Sequence, residues 1–138
     1  MAILIDTSVL ISIERLGPLR SEALEALMDD TVALAAISAS ELLQGVHRAQ
    51  TESQRLKRQS FVEGILEIFP ILPFDLPTAR VHAALWADLA SRGTLIGPHD
   101  LQIAASALAT GSALLTTNVA EFQRVDGLKV TPWVGSSP

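Results

Sequence analysis

Residues 95–118 read "LIGPHDLQIAASALATGSALLTTN", and the fold turns on how this stretch divides. Asp100, with His99 beside it, opens a segment whose next turns are apolar and small, as expected of a helix packed closely on its neighbours. "ALLTT" (113–117) then forms a short apolar run of the kind that is buried in a parallel sheet. A helix feeding a parallel strand must run antiparallel to it. Asp100 at the helix start and Asn118 just past the strand therefore meet at one edge of the sheet.

The same alternation extends in both directions. "AILI" (2–5) is a second buried strand, followed by a helix with Val9, Leu10, Ile13 and Leu16 at helical spacing. Gly17 and Pro18 break it, and "LRSEALEALMDD" supplies another helix with Leu24 and Leu27 inward. "VALAAI" (32–37) is a third strand, and Ser38 is read as the start of the next helix. Residues 51–68 form a longer amphipathic helix with Leu56, Phe61, Ile65 and Leu66 on one side. "ILPF" (71–74) is a brief strand. "DLPTARVHAALWADLASRG" is a helix with an early proline, ended by Gly93. "LKVTPW" (128–133) reads as an edge strand, because Pro132 cannot donate to a ladder. Strands alternating with helices predict an α/β fold: a mostly parallel central sheet of four or five strands, flanked by helices. One domain spans 1–134, and "GSSP" (135–138) is a loose tail.

Composition agrees with one domain and narrows the function. The 138 residues are 49% hydrophobic, enough for a real core. A net charge of −5 argues against a simple electropositive nucleic-acid clamp, but not against an enzyme whose metal-binding acids carry much of that charge. The absence of cysteine removes disulfides and thiolate metal sites and fits a reducing cytoplasm. The first apolar stretch has no basic region before it and is interrupted at Asp6, so no signal peptide is expected. No apolar run reaches the ~20 residues of a spanning helix, so no membrane association is expected.

Ligands collect at the carboxyl ends of strands in open parallel sheets. Asp6 directly follows the first strand. Glu41 falls in the first turn of the helix after "VALAAI", and Asn118 and Glu121 follow "ALLTT". With Asp100 they converge on one rim. Each has an ordinary alternative. Asp6 and Asn118 suit helix N-caps, Ser38 and Glu41 make an S-x-x-E capping box, and Asp100 suits a first turn. Convergence of all of them is what these alternatives leave unexplained. Close carboxylates repel unless a cation offsets them. Hard divalent ions take carboxylate oxygens and water, an arrangement suited to phosphodiester hydrolysis. Asp75 reads as a plain cap, and His47, His82 and His99 lack metal-ligand spacing among themselves.

Taken together, "ILIDTSVLI", "SASELLQGV", "GPHDLQIAASAL" and "LLTTNVAEF" resemble a PIN domain, and within that family the VapC-type toxins of bacterial toxin–antitoxin pairs. The resemblance covers nearly the whole chain. It implies a Mg2+- or Mn2+-dependent endoribonuclease in which a metal-activated water attacks an RNA phosphodiester. The family's metal-binding acids map onto Asp6, Glu41 and Asp100. Thr7 or Ser8 and Thr117 would be supporting hydroxyls. Many PIN domains carry an Asp where this chain has Asn118; the resemblance implies that either Asn118, as a neutral and weaker ligand, or Glu121 in its place completes the site. The family also implies a VapB-type antitoxin partner and a homodimer.

RNA substrate would require cations around an acidic rim. Arg48, Arg55, Lys57 and Arg58 cluster at the start of the long helix, where they either face water or contact the RNA backbone. Two other functions compete with the nuclease. A PIN-like RNA- or protein-binding module that has lost cleavage is favoured only by Asn118. A phosphatase-like enzyme with Asp6 as nucleophile would want a second acid at the position of Ser8.

Overall fold

The computed structural model describes residues 2–28 and 31–135; residues 136–138 of the expected tail lie outside the described residues. Strand β1 (Ile3–Ile5) leads into helix α1 (Thr7–Glu14). A 3-10 turn (Gly17–Leu19) and α2 (Arg20–Met28) come next. Strand β2 (Val32–Ala35) is followed by α3 (Ala36–His47) and α4 (Glu52–Ile68). Strand β3 (Ile71–Leu72) precedes α5 (Leu76–Ser91) and α6 (Pro98–Thr110). Strand β4 (Ala113–Thr116), α7 (Val119–Phe122) and β5 (Val130–Pro132) complete the chain.

The five strands form one sheet in the order β3-β2-β1-β4-β5, with every pairing parallel. Ile3 lies level with both Val32 and Ala113, so β1, β2 and β4 start together and finish within one residue of each other. That register makes one common carboxyl rim. Side chains alternate across the sheet. Ile5 and Leu115 enter a core under α1, α3 and α4 with Leu10, Ile13, Phe61 and Ile65. Leu4 and Leu114 face the opposite way, into a core with Leu89, Ile103 and Phe122. Burial on both faces is why these strands read as unbroken apolar runs.

Helix α6 is the rod that carries the site's far side. Ile103, Ala104, Ala105 and Ala107 are completely inaccessible, so small side chains line several of its faces. It ends on Gly111, which adopts the left-handed φ of +65° that a residue with a Cβ adopts at a cost. The edge strand β5 is as expected: Pro132 lies opposite Thr116, and Trp133 resumes the ladder by donating to the Thr116 carbonyl at 2.9 Å. Among the described residues no helix is long and apolar enough to cross a membrane.

Two expectations need correction. The helix after β2 begins at Ala36 rather than Ser38, so Ser38 caps nothing and Glu41 lies in the second turn. The polar stretch begins too late to mark the start, because Ala35 takes the N-cap conformation without a side-chain bond. Leu56 is 59% exposed, because the buried stripe of α4 begins a turn later, at Phe61 and Val62. Ala104→Leu should therefore cost about 1–3 kcal/mol in urea unfolding through overpacking. Leu56→Gln should shift stability by less than about 0.5 kcal/mol.

Candidate active site

Asp6 holds the N-cap position of α1, yet its side chain makes no capping bond. It is only 4% exposed. Its Oδ2 accepts from Ser8 Oγ at 2.7 Å and from Thr116 Oγ1 at 2.7 Å. Both hydroxyls are themselves hydrogen-bonded by backbone amides: Thr117 N–H donates to Ser8 Oγ, and Asn118 N–H donates to Thr116 Oγ1. Such chains polarise each member toward the carboxylate. The start of α7 thus braces Asp6 through two side chains.

Glu41 reaches the rim from α3. Its Oε1 accepts from Thr7 Oγ1 at 2.8 Å, and its Oε2 lies 3.2 Å from His99 Nδ1. Asp100 stands at the third position of α6, after the N-cap Gly97 and Pro98. Glu121 bridges the remaining gap: its Oε1 accepts from Gly97 N–H at 2.8 Å and its Oε2 from Asn118 Nδ2 at 2.6 Å. A Cβ on Gly97 would sit 3.7 Å from Glu121 Oε1 and 3.8 Å from Asp100 Oδ2, so both acids crowd the same backbone position.

Asp6, Glu41, Asp100, Asn118 and Glu121 are therefore gathered on one rim. Of the expected hydroxyls, Thr7 and Ser8 both serve, on different acids. Thr117 does not: its side chain is exposed and contributes only the backbone amide, while Thr116 supplies the hydroxyl. The parallel register decides between these two threonines, since pairing Ile5 with Leu115 sets Thr116 beside Asp6. His99 is the residue that sequence reasoning passed over, because adjacent helix positions point apart. Its partner proves to be Glu41, on another helix.

The electrostatics show a site short of positive charge. Burial, followed by the hydrogen bond and the charge of Glu121 and the charges of Asp6 and Glu41, pushes Asp100 up to about 8. Burial also raises Asp6, against the lowering effect of its two hydroxyl donors, with the charge of Glu41 adding to the rise. Glu121 moves down, chiefly through its side-chain interaction with Asp100, helped by the Gly97 amide. As the side chains stand, no three His, Asp or Glu among the described residues are drawn close enough to hold an ion. The donor set is nonetheless hard, all oxygen and over-rich in negative charge, which suits a divalent cation with retained waters.

Residues given ordinary readings mostly keep them. Asp75 caps α5, accepting from Thr78 N–H at 3.1 Å and Thr78 Oγ1 at 2.8 Å. Those bonds lower its pKa. His82 lies edge-on to Phe74. The basic stretch divides. Arg55 and Lys57 face water, whereas Arg58 turns in to the Gly45 carbonyl at 2.9 Å and toward Glu14 at 3.8 Å. Arg15, Arg48 and Arg58 line a groove of about 330 Å³ that Glu41 joins to the rim.

The raised Asp100 sets a pH dependence whose sign is definite. Between its ordinary value of 3.8 and about 8, the folded chain holds a proton that the unfolded chain has released. Stability without divalent ions should therefore fall as pH rises across that window. The lowered Glu121 acts oppositely only around and below its ordinary 4.5. Thermal melts of metal-free protein should decline from about pH 5.5 to about 8, the raised Asp6 acting in the same direction as Asp100. Asp100→Asn should flatten that decline.

Comparison with known proteins agrees with this geometry. The PIN domain family matches residues 3–128. Ribonuclease VapC1 of Rickettsia felis is 37% identical over 130 residues, covering 94% of this chain and 95% of that protein. VapBC2 from Rickettsia felis, crystallised on a DNA fragment from its promoter, superposes with a TM-score of 0.84 at 28% identity, covering 96% of this chain and 99% of its counterpart. VapBC-5 from Mycobacterium tuberculosis, a member of the VapBC family of toxin-antitoxin systems, matches with a TM-score of 0.74 at 31% identity, over 96% and 98% of the two chains. With both sequence and fold aligned almost end to end, this chain belongs to the PIN-domain family and, within it, to the VapC ribonucleases.

Proposed function

We propose that this VapC ribonuclease is the toxin of a toxin–antitoxin pair and that it hydrolyses RNA phosphodiester bonds as a divalent-ion-dependent endoribonuclease. The observation that carries this reading is the buried, hydroxyl-braced Asp6 facing Asp100, Glu41 and Glu121 with two carboxyl pKa values raised. Asp6, Asp100 and Glu41, with Glu121 beside them, would hold Mg2+ or Mn2+, which supplies a nucleophile at neutral pH and neutralises charge developing on the phosphate. The chain's own residues prepare that site. Ser8 and Thr116 fix Asp6 in one orientation, and Thr7 fixes Glu41. Asn118 spends its amide on Glu121 and so acts by orienting that acid rather than by offering a charge.

An acidic rim needs cations beside it to receive RNA. Arg15 and Arg48, in the groove that Glu41 shares, would take the phosphates next to the cleaved bond, and RNA affinity would fall steeply with added salt. Solved relatives are VapBC complexes, which supports a VapB-type antitoxin as the natural inhibitor here. Homodimer formation and a cytoplasmic location belong to the same reading. The binding-only alternative rests on Asn118 alone, and the acids it would require to be lost are all in place.

Incubation with structured RNAs and Mg2+ or Mn2+ tests the proposal. Wild type should cut, and chelation should abolish cutting reversibly. Asp6→Asn and Asp100→Asn should fold normally by circular dichroism but lose roughly 100-fold or more in rate, the scale on which electrostatic groups of an active site act. Glu121→Gln should lose about 10-fold. Cleavage surviving both Asp changes would overturn the metal-dependent mechanism, and a wild type inert on every RNA would favour the binding module.

A further inference from the structure

Glu41 is the most loosely founded acid of the rim. It projects from the second turn of α3 on a long side chain, and one of its oxygens is anchored by Thr7. A carboxylate held at one oxygen can pivot. Two forces would turn it outward: repulsion from the neighbouring Asp6, and the adjoining groove, where Arg48 and Arg15 offer attraction. What opposes that turn is His99, whose Nδ1 lies 3.2 Å from the second oxygen, Oε2. His99 belongs to the first turn of α6 and directly precedes Asp100.

We propose that His99 is the positioning residue for Glu41, acting as a strap from α6 to α3 that keeps this carboxylate turned toward Asp6 and Asp100 rather than swung further into the arginine-lined groove that it borders. The imidazole serves by donating its Nδ1–H, which the neutral Nδ1 tautomer provides as well as the cation does. Thr7 and His99 together hold both oxygens and so fix the plane of the carboxylate, as outer partners fix metal-binding acids elsewhere. The side chain is 45% exposed, so its loss removes little packing. The role deepens the divalent-ion reading above and rests on it.

The experiment measures Mn2+ binding by electron paramagnetic resonance, without RNA, alongside cleavage kinetics. His99→Ala should weaken Mn2+ roughly 10-fold and lower kcat by a similar factor. KM for RNA and the melting temperature of the metal-free protein should stay put. His99→Asn, which returns an N–H donor near the Nδ1 position, should recover most of the loss. Unchanged Mn2+ affinity in His99→Ala, or an Asn variant as weak as the Ala variant, overturns the proposal. So does a raised KM with unchanged kcat, which would make His99 an RNA contact. If the wild type itself binds no Mn2+, the divalent-ion reading fails separately. The strap is then judged from 15N-histidine spectra of the metal-free protein. Loss of the Nδ1–H form in Glu41→Ala supports it, and an unchanged tautomer overturns it.

Discussion

Mutual repulsion among carboxylates on one sheet rim is the constraint around which the rest of this molecule is arranged. Burial makes it worse, since Asp6 and Asp100 both favour their neutral forms where they sit. The chain answers chiefly with neutral donors: hydroxyls from Thr7, Ser8 and Thr116, a backbone amide from Gly97, and the Asn118 amide, with only the charge of Arg124 acting on Glu121 beside them. Each fixes the direction of an acid without cancelling its charge. The deficit of positive charge is left open for something that arrives from outside.

That arrangement depends on parallel register more than on any one side chain. Because β1, β2 and β4 start level and end within a residue of each other, the residues just beyond them share a neighbourhood although they lie far apart in the chain. Helix α6 completes it by running back from the same edge. Its alanines let the rod lie close against the sheet and α5, so Asp100 and His99 are placed by packing many residues away. Core and site are in this sense one structure.

Much of this was legible in the residues. Unbroken apolar runs marked the strands, and the alternation of strand and helix dictated the parallel sheet and hence the rim where Asp6, Glu41, Asp100, Asn118 and Glu121 gather. What escaped depended on spatial detail of a kind that periodicity lacks. Thr116 rather than Thr117 supports Asp6 because of cross-strand register. His99 finds Glu41 because two helices from different parts of the chain approach at their starts. The apparent capping box at Ser38 was misleading, since the helix had already begun at Ala36 with no side-chain cap. Local chemistry names the candidates, and only the tertiary arrangement chooses among equivalent neighbours.

The sheet's two borders carry a consequence for how other polypeptides can engage this molecule. On one side β5 contains Pro132, and on the other β3 is only two residues long and is followed at once by Pro73. Neither offers the continuous row of free amides and carbonyls that an incoming strand would need to zip onto the sheet. Strand addition is closed off at both ends, which protects the sheet from stacking edge to edge with other copies. Among the described residues, the helical exterior and its grooves are the larger surface left to other proteins.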